Sequence, residues 1–588
     1  MWLCVSLLMV LSLILASCGP SEPTTPTTPT TPTSPTTPTT PTQPSTPAES
    51  EKPQYGGTFT FVFGEPFGFD PAFNFMMECK SIFLTNEELL MGDWAKGPAG
   101  TGETDWTNGC LGIAGLFTGQ LCESWEFTDD TTITFHLRQG VHWHDKAPVN
   151  GREYTAEDAA WSIERLWANG VHSVIGPKED ALISATAKDK YTLVLKVPAH
   201  AMGGSGIIYS AAWLYQFAPE VVEEYGDMKD WRNSVGTGAF MLTDYVPGSA
   251  LTYKKNPNYW GTNPVGPGKG DQLPYVDELK QLIIADSSTQ LAALRTGKID
   301  FSLWTYLTLD DARSLMEQRP EMKYRDINGE DNHLYFRLDK DLPFNDIKVR
   351  QALTLSIDKQ ELIDDYYAGD AFMLGVPYPP YKAWEPFYTP LDQMPSTPQL
   401  TDEGSECSVQ ELFGAQNIEK AKQLLADAGY PDGFNCKIIS QTSANTDFLS
   451  IIREYFAEVN VNLEIEQKED GVFRSMRRSR TYEEGVYTAS PTSAFPYDMH
   501  NIRTESFDCF TYFEHPYTRN IYNEMRKVLA KDDEQYTSLL KESVPFILEQ
   551  SIGIWLPLPK NYRMWWPWLK NYNGEGSLGI DDQMLVAN

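Results

Sequence analysis

Residues 131–167, TTITFHLRQGVHWHDKAPVNGREYTAEDAAWSIERLW, decide the fold. Ile133, Phe135 and Leu137 alternate with Thr132, Thr134 and His136, the period of a strand with one buried face. Gly140 punctuates that run, and residues 145–151 form a polar loop. Thr155 is a good N-cap, and Asp158 stands where a capping box places an acid. Ala159, Ala160, Ile163, Leu166 and Trp167 then recur at helical spacing. Strand, loop and helix follow one another directly.

The particular residues say more than the pattern. Phe135-His136-Leu137-Arg138, Gly140, His144-Asp145 and Thr155-Ala156-Glu157-Asp158 resemble, in order, the signature of the family 5 extracellular solute-binding proteins. These are the peptide, nickel and oligosaccharide receptors of ABC importers. Lys146 stands where that family usually has glycine. A second block is also similar: Val235-Gly236-Thr237-Gly238-Ala239-Phe240, then Tyr245-Val246-Pro247-Gly248, then Asn256-Pro257-Asn258-Tyr259-Trp260-Gly261, with Ala239 in place of the usual proline. Read bare, the Gly-Thr-Gly suggests a phosphate loop, but no Gly-Lys-Ser/Thr follows, and a turn between strands is the expected structure. Residues 334–365 resemble a third block, in which Asp346 caps one helix and Asp358 with Glu361 forms a capping box. Residues 417–429 read as a helix from Asn417 to Gly429, and residues 430–434, YPDGF, continue the likeness.

The resemblance implies an α/β, two-lobed periplasmic-binding-protein-like fold with a hinge of two crossing strands. It places lobe 1 at residues 55–301, with an extra subdomain at about 125–225. Lobe 2 takes residues 302–548, and residues 549–588 return to lobe 1, with 547–558 expected as a buried strand. Residues 92–119, rich in Gly, Thr and Asp, read as an inserted loop.

The chain has 588 residues, too many for one core. A net charge of −33 excludes a nucleic-acid partner, which needs a basic surface. Residues 1–17 are uncharged and apolar, too short for a comfortable membrane span, and read as a signal peptide. Leu15-Ala16-Ser17-Cys18 looks like a lipobox, which implies lipidation of Cys18 and attachment to the outer face of the bacterial cell membrane. The segment near Met1 carries no Lys or Arg, and an uncleaved apolar anchor is the other reading. Residues 18–54 form a Pro/Thr-rich tether whose three-residue repeat favours polyproline II, at roughly 3.1 Å per residue. Of eight cysteines, Cys4 leaves with the signal and Cys18 is lipidated; among the rest, Cys110–Cys122 and Cys407–Cys436 are the pairings expected, because each closes a modest loop.

The resemblance points the end of the first strand, with Glu65 and Phe67, into an interlobe cleft. Trp304, where the chain passes between lobes, is a candidate cleft wall. Residues 485–501 are where family peptide receptors place an acid for the substrate's amine. Here that segment offers Tyr487, Ser490, Thr492, Tyr497 and, as its first acid, Asp498. With no earlier acid, free-amine peptide recognition is not the expectation; hydroxyls and aromatics of this kind suit neutral polyols or capped ligands equally well. No HExxH, GxSxG or Walker motif is present, and His142-x-His144 lacks a visible third ligand, so no catalytic residue, metal or cofactor is assigned. Residues 564–569, MWWPWL, are expected to pack on lobe 1, with a docking patch as the alternative. The expected protein is a monomeric, lipid-anchored receptor. It passes a peptide, oligosaccharide or chelate to ABC permease subunits and their ATPases. A surface-anchored hydrolase and a ligand-sensing domain are the other classes.

Overall fold

The computed structural model describes residues 52–73, 79–107, 113–168, 182–211, 214–302, 307–329, 331–375, 379–397, 406–442, 444–489 and 509–576. The signal, lipobox and most of the tether lie outside them, as do Cys110, Trp304 and residues 490–508.

The first sheet runs in the order Thr58–Val62, Glu278–Leu282, Ala250–Lys255, Phe240–Val246. Its first pair is parallel, with Thr58 opposite Glu278, and the others are antiparallel. Phe59, Phe61 and Phe63 are buried. Phe301 bridges Phe61 on one side and Trp565 on the other, which carries the sheet on to Leu558–Trp565 and Lys323–Asn328. Helices Ser287–Arg295 and Leu309–Gln318 bury Leu294 and Leu315 together with Val62, Met564 and Trp566.

The opening stretch lies in a second, antiparallel sheet of order Cys122–Asp129, Thr132–Leu137, Thr192–Lys196, Ser184–Asp189. One buried face was expected for residues 132–137; the structure buries all but His136, because the strand is central and both faces are covered. Helix Ala156–Ala168 starts as read: Asp158 Oδ2 accepts from the Thr155 N–H at 2.9 Å and its hydroxyl at 3.1 Å. Arg152 grips the same carboxylate through both oxygens, at 2.7 and 2.6 Å.

The signature residues tie this unit to the first sheet. Arg165 pairs with both oxygens of buried Asp70, at 2.9 and 2.7 Å. Arg138 donates to the Gln120 and Gly119 carbonyls and lies 4.7 Å over the Trp260 ring. His144 is buried: Nδ1 accepts from the Gly236 N–H at 3.1 Å, and Nε2 donates to the Gly238 carbonyl at 3.0 Å. Gly-Thr-Gly is therefore a packing device. A Cβ on Gly236 would sit 1.8 Å from the Thr85 carbonyl oxygen.

The third sheet has the order Asn332–Phe336, Gly485–Ala489, Phe434–Gln441, Val461–Lys468. Its last two strands are parallel and joined through helix Thr446–Glu458, a βαβ crossover. The expected caps are present: Asp346 caps Ile347–Leu355, and Asn417 caps Ile418–Asp427. The second expected capping box is only half made. Asp358 accepts from the Glu361 N–H, but the Glu361 carboxylate takes the Tyr455 hydroxyl at 2.6 Å. Arg350 and Gln351 donate to the Gln550 and Glu549 carbonyls, each at 2.8 Å, so they close the C-terminal end of helix Asp533–Glu549.

Three expectations need correction. Residues 547–549 complete that helix, and the returning strand is Leu558–Trp565; an apolar run such as 547–558 does not distinguish a buried helix from a strand by periodicity. No disulfide joins Cys407 to Cys436: Cys407 meets Lys420, and Cys436 lies within the sheet opposite Leu463. Cys122 is a buried thiol, its pKa pushed up to about 12 by that burial. In the tryptophan run, Trp565 and Trp566 are buried, while Trp568 is half exposed and stacks on Trp566 at 4.6 Å.

The first and third sheets are connected by one antiparallel ladder. Lys323–Asn328 pairs with Leu558–Trp565 from Lys323 opposite Trp565 to Asn328 opposite Lys560. The Gly329 N–H then reaches the Pro559 carbonyl at 2.8 Å, and Leu334 bridges Ile554.

Gly236→Ala is expected to lower unfolding stability by about 1–3 kcal/mol, since the new methyl meets backbone rather than a movable side chain. A urea midpoint equal to the parent's would contradict this packing account.

Candidate functional site

A cavity of about 790 Å³ opens where the ladder meets the third sheet. Its size lies within the range of small-molecule sites. One side is built by Thr308, Leu309 and Asp310 at the start of helix Leu309–Gln318, and by Pro557, Pro559, Lys560 and Asn561 of the returning chain. The other side consists of Gln441, Thr488 and Ala489 at the carboxyl ends of two neighbouring parallel strands, where open α/β sheets place ligands.

Helices and turns around the third sheet supply the remaining walls. Asn445 caps Thr446–Glu458 by accepting from the Asp447 and Phe448 N–H groups, which aims Phe448 into the cavity wall. Tyr366 lies 5.1 Å from Phe448, Tyr367 5.9 Å and Tyr487 6.5 Å, so four rings make one continuous aromatic surface. The Asn445 amide donates to the Tyr366 hydroxyl at 2.6 Å. Helix Asp470–Ser479 contributes Arg474 and Arg477. Arg477 donates to the Thr488 hydroxyl at 3.0 Å. Asp370 accepts the Tyr562 hydroxyl at 3.0 and 2.9 Å, and the Lys560 ammonium stands 3.9 Å away. Burial and the bond to Asp370 push the Tyr562 hydroxyl well above its ordinary value.

Of the residues read from sequence, Tyr487 lines this cavity. Glu65 is held elsewhere, accepting from the Tyr245 hydroxyl and from the Gly248 N–H at 2.8 Å. Phe67 is 77% exposed and outside the cavity lining. Trp304, Ser490, Thr492, Tyr497 and Asp498 lie outside the described residues. His142 binds the Gly151 carbonyl through Nδ1, and both ring nitrogens of His144 are taken by backbone, so the pair does not converge on a metal. Sequence reasoning missed the tyrosine pair, Phe448 and the arginines. The signal for the last was present: residues 473–480, FRSMRRSR, are densely basic in a chain of net charge −33.

Three strongly perturbed groups lie away from the cavity. Burial lowers His144 to about 4 and Lys359 to about 7. Lys359 is held by the Thr354 and Leu412 carbonyls at 2.6 and 3.1 Å. Burial raises Glu87 to about 7, although the Trp260 indole and the Tyr259 hydroxyl donate to it at 3.0 Å each. None of the three lines the cavity.

Comparison with known proteins agrees with this architecture. The peptide-binding DppA of Helicobacter pylori, solved with the peptide STSA, superposes with a TM-score of 0.64 at 20% identity, covering 91% of this chain and 98% of that one. That likeness establishes a two-lobed periplasmic-binding-protein-like fold. The family model for bacterial extracellular solute-binding proteins, family 5, matches residues 117–505, and the chain belongs to that family. The periplasmic oligopeptide-binding protein OppA of Haemophilus influenzae is 24% identical across 77% of this chain and 82% of its own length. Heme-binding protein A of the same organism is 28% identical across 53% of this chain, and the match spans 54% of that relative's length.

The raised Glu87 fixes a pH dependence. The folded state binds this proton more tightly than the unfolded chain, so stability falls as pH rises from about 4.5 to about 7 and is then level. Glu87→Gln keeps an acceptor for Trp260 without the charge. Relative to the parent it should gain about 3 kcal/mol between pH 4 and pH 8, read from urea midpoints at the two pH values. A gap that does not change with pH would refute the assignment.

Proposed function

We propose that this protein is the substrate-binding receptor of an ABC importer. It captures a peptide or other small solute in the cavity between its lobes and delivers it to membrane permease subunits and their ATPases. The observation that carries this reading is the void itself: it has walls from the ladder and from the third sheet, and the carboxyl ends of parallel strands open into it. Relatives named for binding oligopeptides support the same reading. The proposed lobe boundary falls near residues 329–332, because residues 307–328 pack with the first sheet. Lipidation at Cys18 and the tether at 18–54 would keep this monomeric receptor beside its permease, outside the cytoplasm. Tyr487 would contribute a stacking surface, and Ser490, Thr492, Tyr497 and Asp498 follow it directly in the chain.

No chemical step is needed. A solute shifts the lobes toward the closed form by as much as it binds that form more tightly, and micromolar capture corresponds to roughly 8 kcal/mol. A second contact, remote in sequence from the ladder, would resist reopening. The Ala114 and Gly115 N–H groups, in the inserted loop, donate to Asp533 at 3.0 and 3.2 Å, and Lys382 donates to the Gly102 carbonyl.

The body from Tyr55 is expected to bind one soluble ligand per molecule, with a rise in melting temperature across a panel of peptides, oligosaccharides and chelates; silence across all three classes would end the receptor reading. Asp533→Ala should speed solute release by about threefold to tenfold in stopped-flow measurements, the worth of one or two lost hydrogen bonds. Cys18→Ser is expected to move the full chain from the membrane to the soluble fraction; retention would favour the apolar anchor.

A further inference from the structure

We infer that His333 is a positioning residue for the cavity wall: its neutral ring supplies the rung that holds Leu556 and Pro557 against the third sheet, and protonation of that ring lets the wall go. The inference rests on the cavity being the cargo site proposed above.

His333 is fully buried where the chain crosses between the halves. Beside it, Leu334 and Ile554 pair through backbone, the Ile554 N–H donating to the Leu334 carbonyl at 2.8 Å. One step along, the pairing passes to a side chain: the Leu556 N–H donates to His333 Nδ1 at 2.9 Å. Pro557 and Pro559 have no N–H to offer, so Leu556 and Leu558 carry the backbone donors of this stretch. Asn332 and Pro557, which adjoin His333 and Leu556 in the chain, line the cavity. The ring therefore fixes the wall from behind.

The same bond sets the protonation state. A ring nitrogen that accepts is unprotonated, so the proton of the neutral ring is on Nε2. Nε2 lies 2.7 Å from Asp331 Oδ1, without the alignment of a hydrogen bond. Asp331 is buried, and neither of its oxygens has a hydrogen-bond donor among the described residues. A buried carboxylate in this position strongly favours a cation beside it. The ring is thus pulled two ways. Neutral, it accepts from Leu556. Doubly protonated, it pairs with Asp331 but turns an Nδ1–H toward the Leu556 N–H, and two facing donors repel. The Trp555 ring packs edge-on at 5.0 Å and the Tyr335 ring at 6.2 Å, so the imidazole has little room to turn away.

Few other titratable groups surround the ring. Thr488, opposite His333 on the neighbouring strand, takes the Arg477 guanidinium on its hydroxyl at 3.0 Å. Tyr335 follows on the same strand. Residues 552–558 of the returning chain contribute no acid or base, nor do residues 371–375, whose Gly375 backs onto Asp331. Histidine is the side chain whose charge changes between about pH 5 and pH 8. Toward the upper end the wall is held; toward the lower end Leu556 is released and cargo is gripped less tightly.

Hydrogen exchange of the purified full chain, without cargo, reads this at single-residue resolution. Protection of the Leu556 amide is compared at about pH 7.5 and about pH 5.5, each corrected for the intrinsic rate of amide exchange. Amides of residues 323–328, which pair with backbone in the ladder, are the internal reference. The expected result is an about tenfold loss of protection at Leu556 at the lower pH, matching one lost hydrogen bond, with the reference unchanged. His333→Asn places near the Nδ1 position an amide oxygen that accepts at every pH, and should protect Leu556 equally at both. Asp331→Asn removes the carboxylate that stabilises the protonated ring, and should shrink the loss. Protection at Leu556 that does not change with pH in the parent, or a loss of the parent's size in either variant, overturns the inference; the parent measurement decides alone should a variant not fold. Silence across the ligand panel above ends the receptor reading without altering this exchange result, so the two failures are distinguishable.

Discussion

The antiparallel pairing of residues 323–329 with 559–565, with Leu334 bridging Ile554 beyond it, is the constraint on which the structure depends. The outgoing and returning segments hydrogen-bond to each other, and Ala371–Phe372 of the second half adds to the start of the returning strand. Lys323 opposite Trp565 and Leu334 bridging Ile554 mark the two ends of that contact. Because the ladder is continuous through Gly329 and Pro559, the two lobes are linked by backbone pairing as well as by side-chain packing. The cavity lies against this axis, with walls from both sides of it.

The motifs that carry the family resemblance prove to be joints. His144 has both nitrogens committed to the Gly-Thr-Gly turn, Arg165 is committed to Asp70, and Arg138 to two carbonyls and Trp260. Removing either member of the Arg165–Asp70 pair would leave a buried charge uncompensated, which is costly. These residues hold the second sheet on the first. The cavity-facing residues come from other segments, Tyr366–Tyr367, Asn445–Phe448 and Arg474–Arg477, and carry no such signature.

That division explains what could be read in advance. Alternation in residues 132–137, the caps at Thr155, Asp346 and Asn417, and the glycine at 429 act locally, so sequence alone located the elements they start or end. Full burial of the strand 132–137 depended on neighbours that periodicity does not see. Residues 547–558 are apolar whichever way they fold, and the helix runs on to Glu549 before the turn. Tyr487, which lines the cavity, sits in a segment the resemblance singled out. Tyr366, Phe448 and Arg474 were not, since what brings them together is the approach of a turn and two helices from distant parts of the chain. Glu65, which the resemblance points toward the cleft, gives its carboxylate to the Tyr245 hydroxyl and the Gly248 N–H.

The register of the ladder has a topological corollary. Asn328 faces Lys560 across one rung, so the two ends of the intervening segment emerge side by side from the first sheet. The whole second half is in effect an insertion at the tip of a hairpin. A short reverse turn joining those two positions would close the hairpin, leaving the first half as one uninterrupted chain with Val62, Leu294, Leu315 and Met564 still packed together.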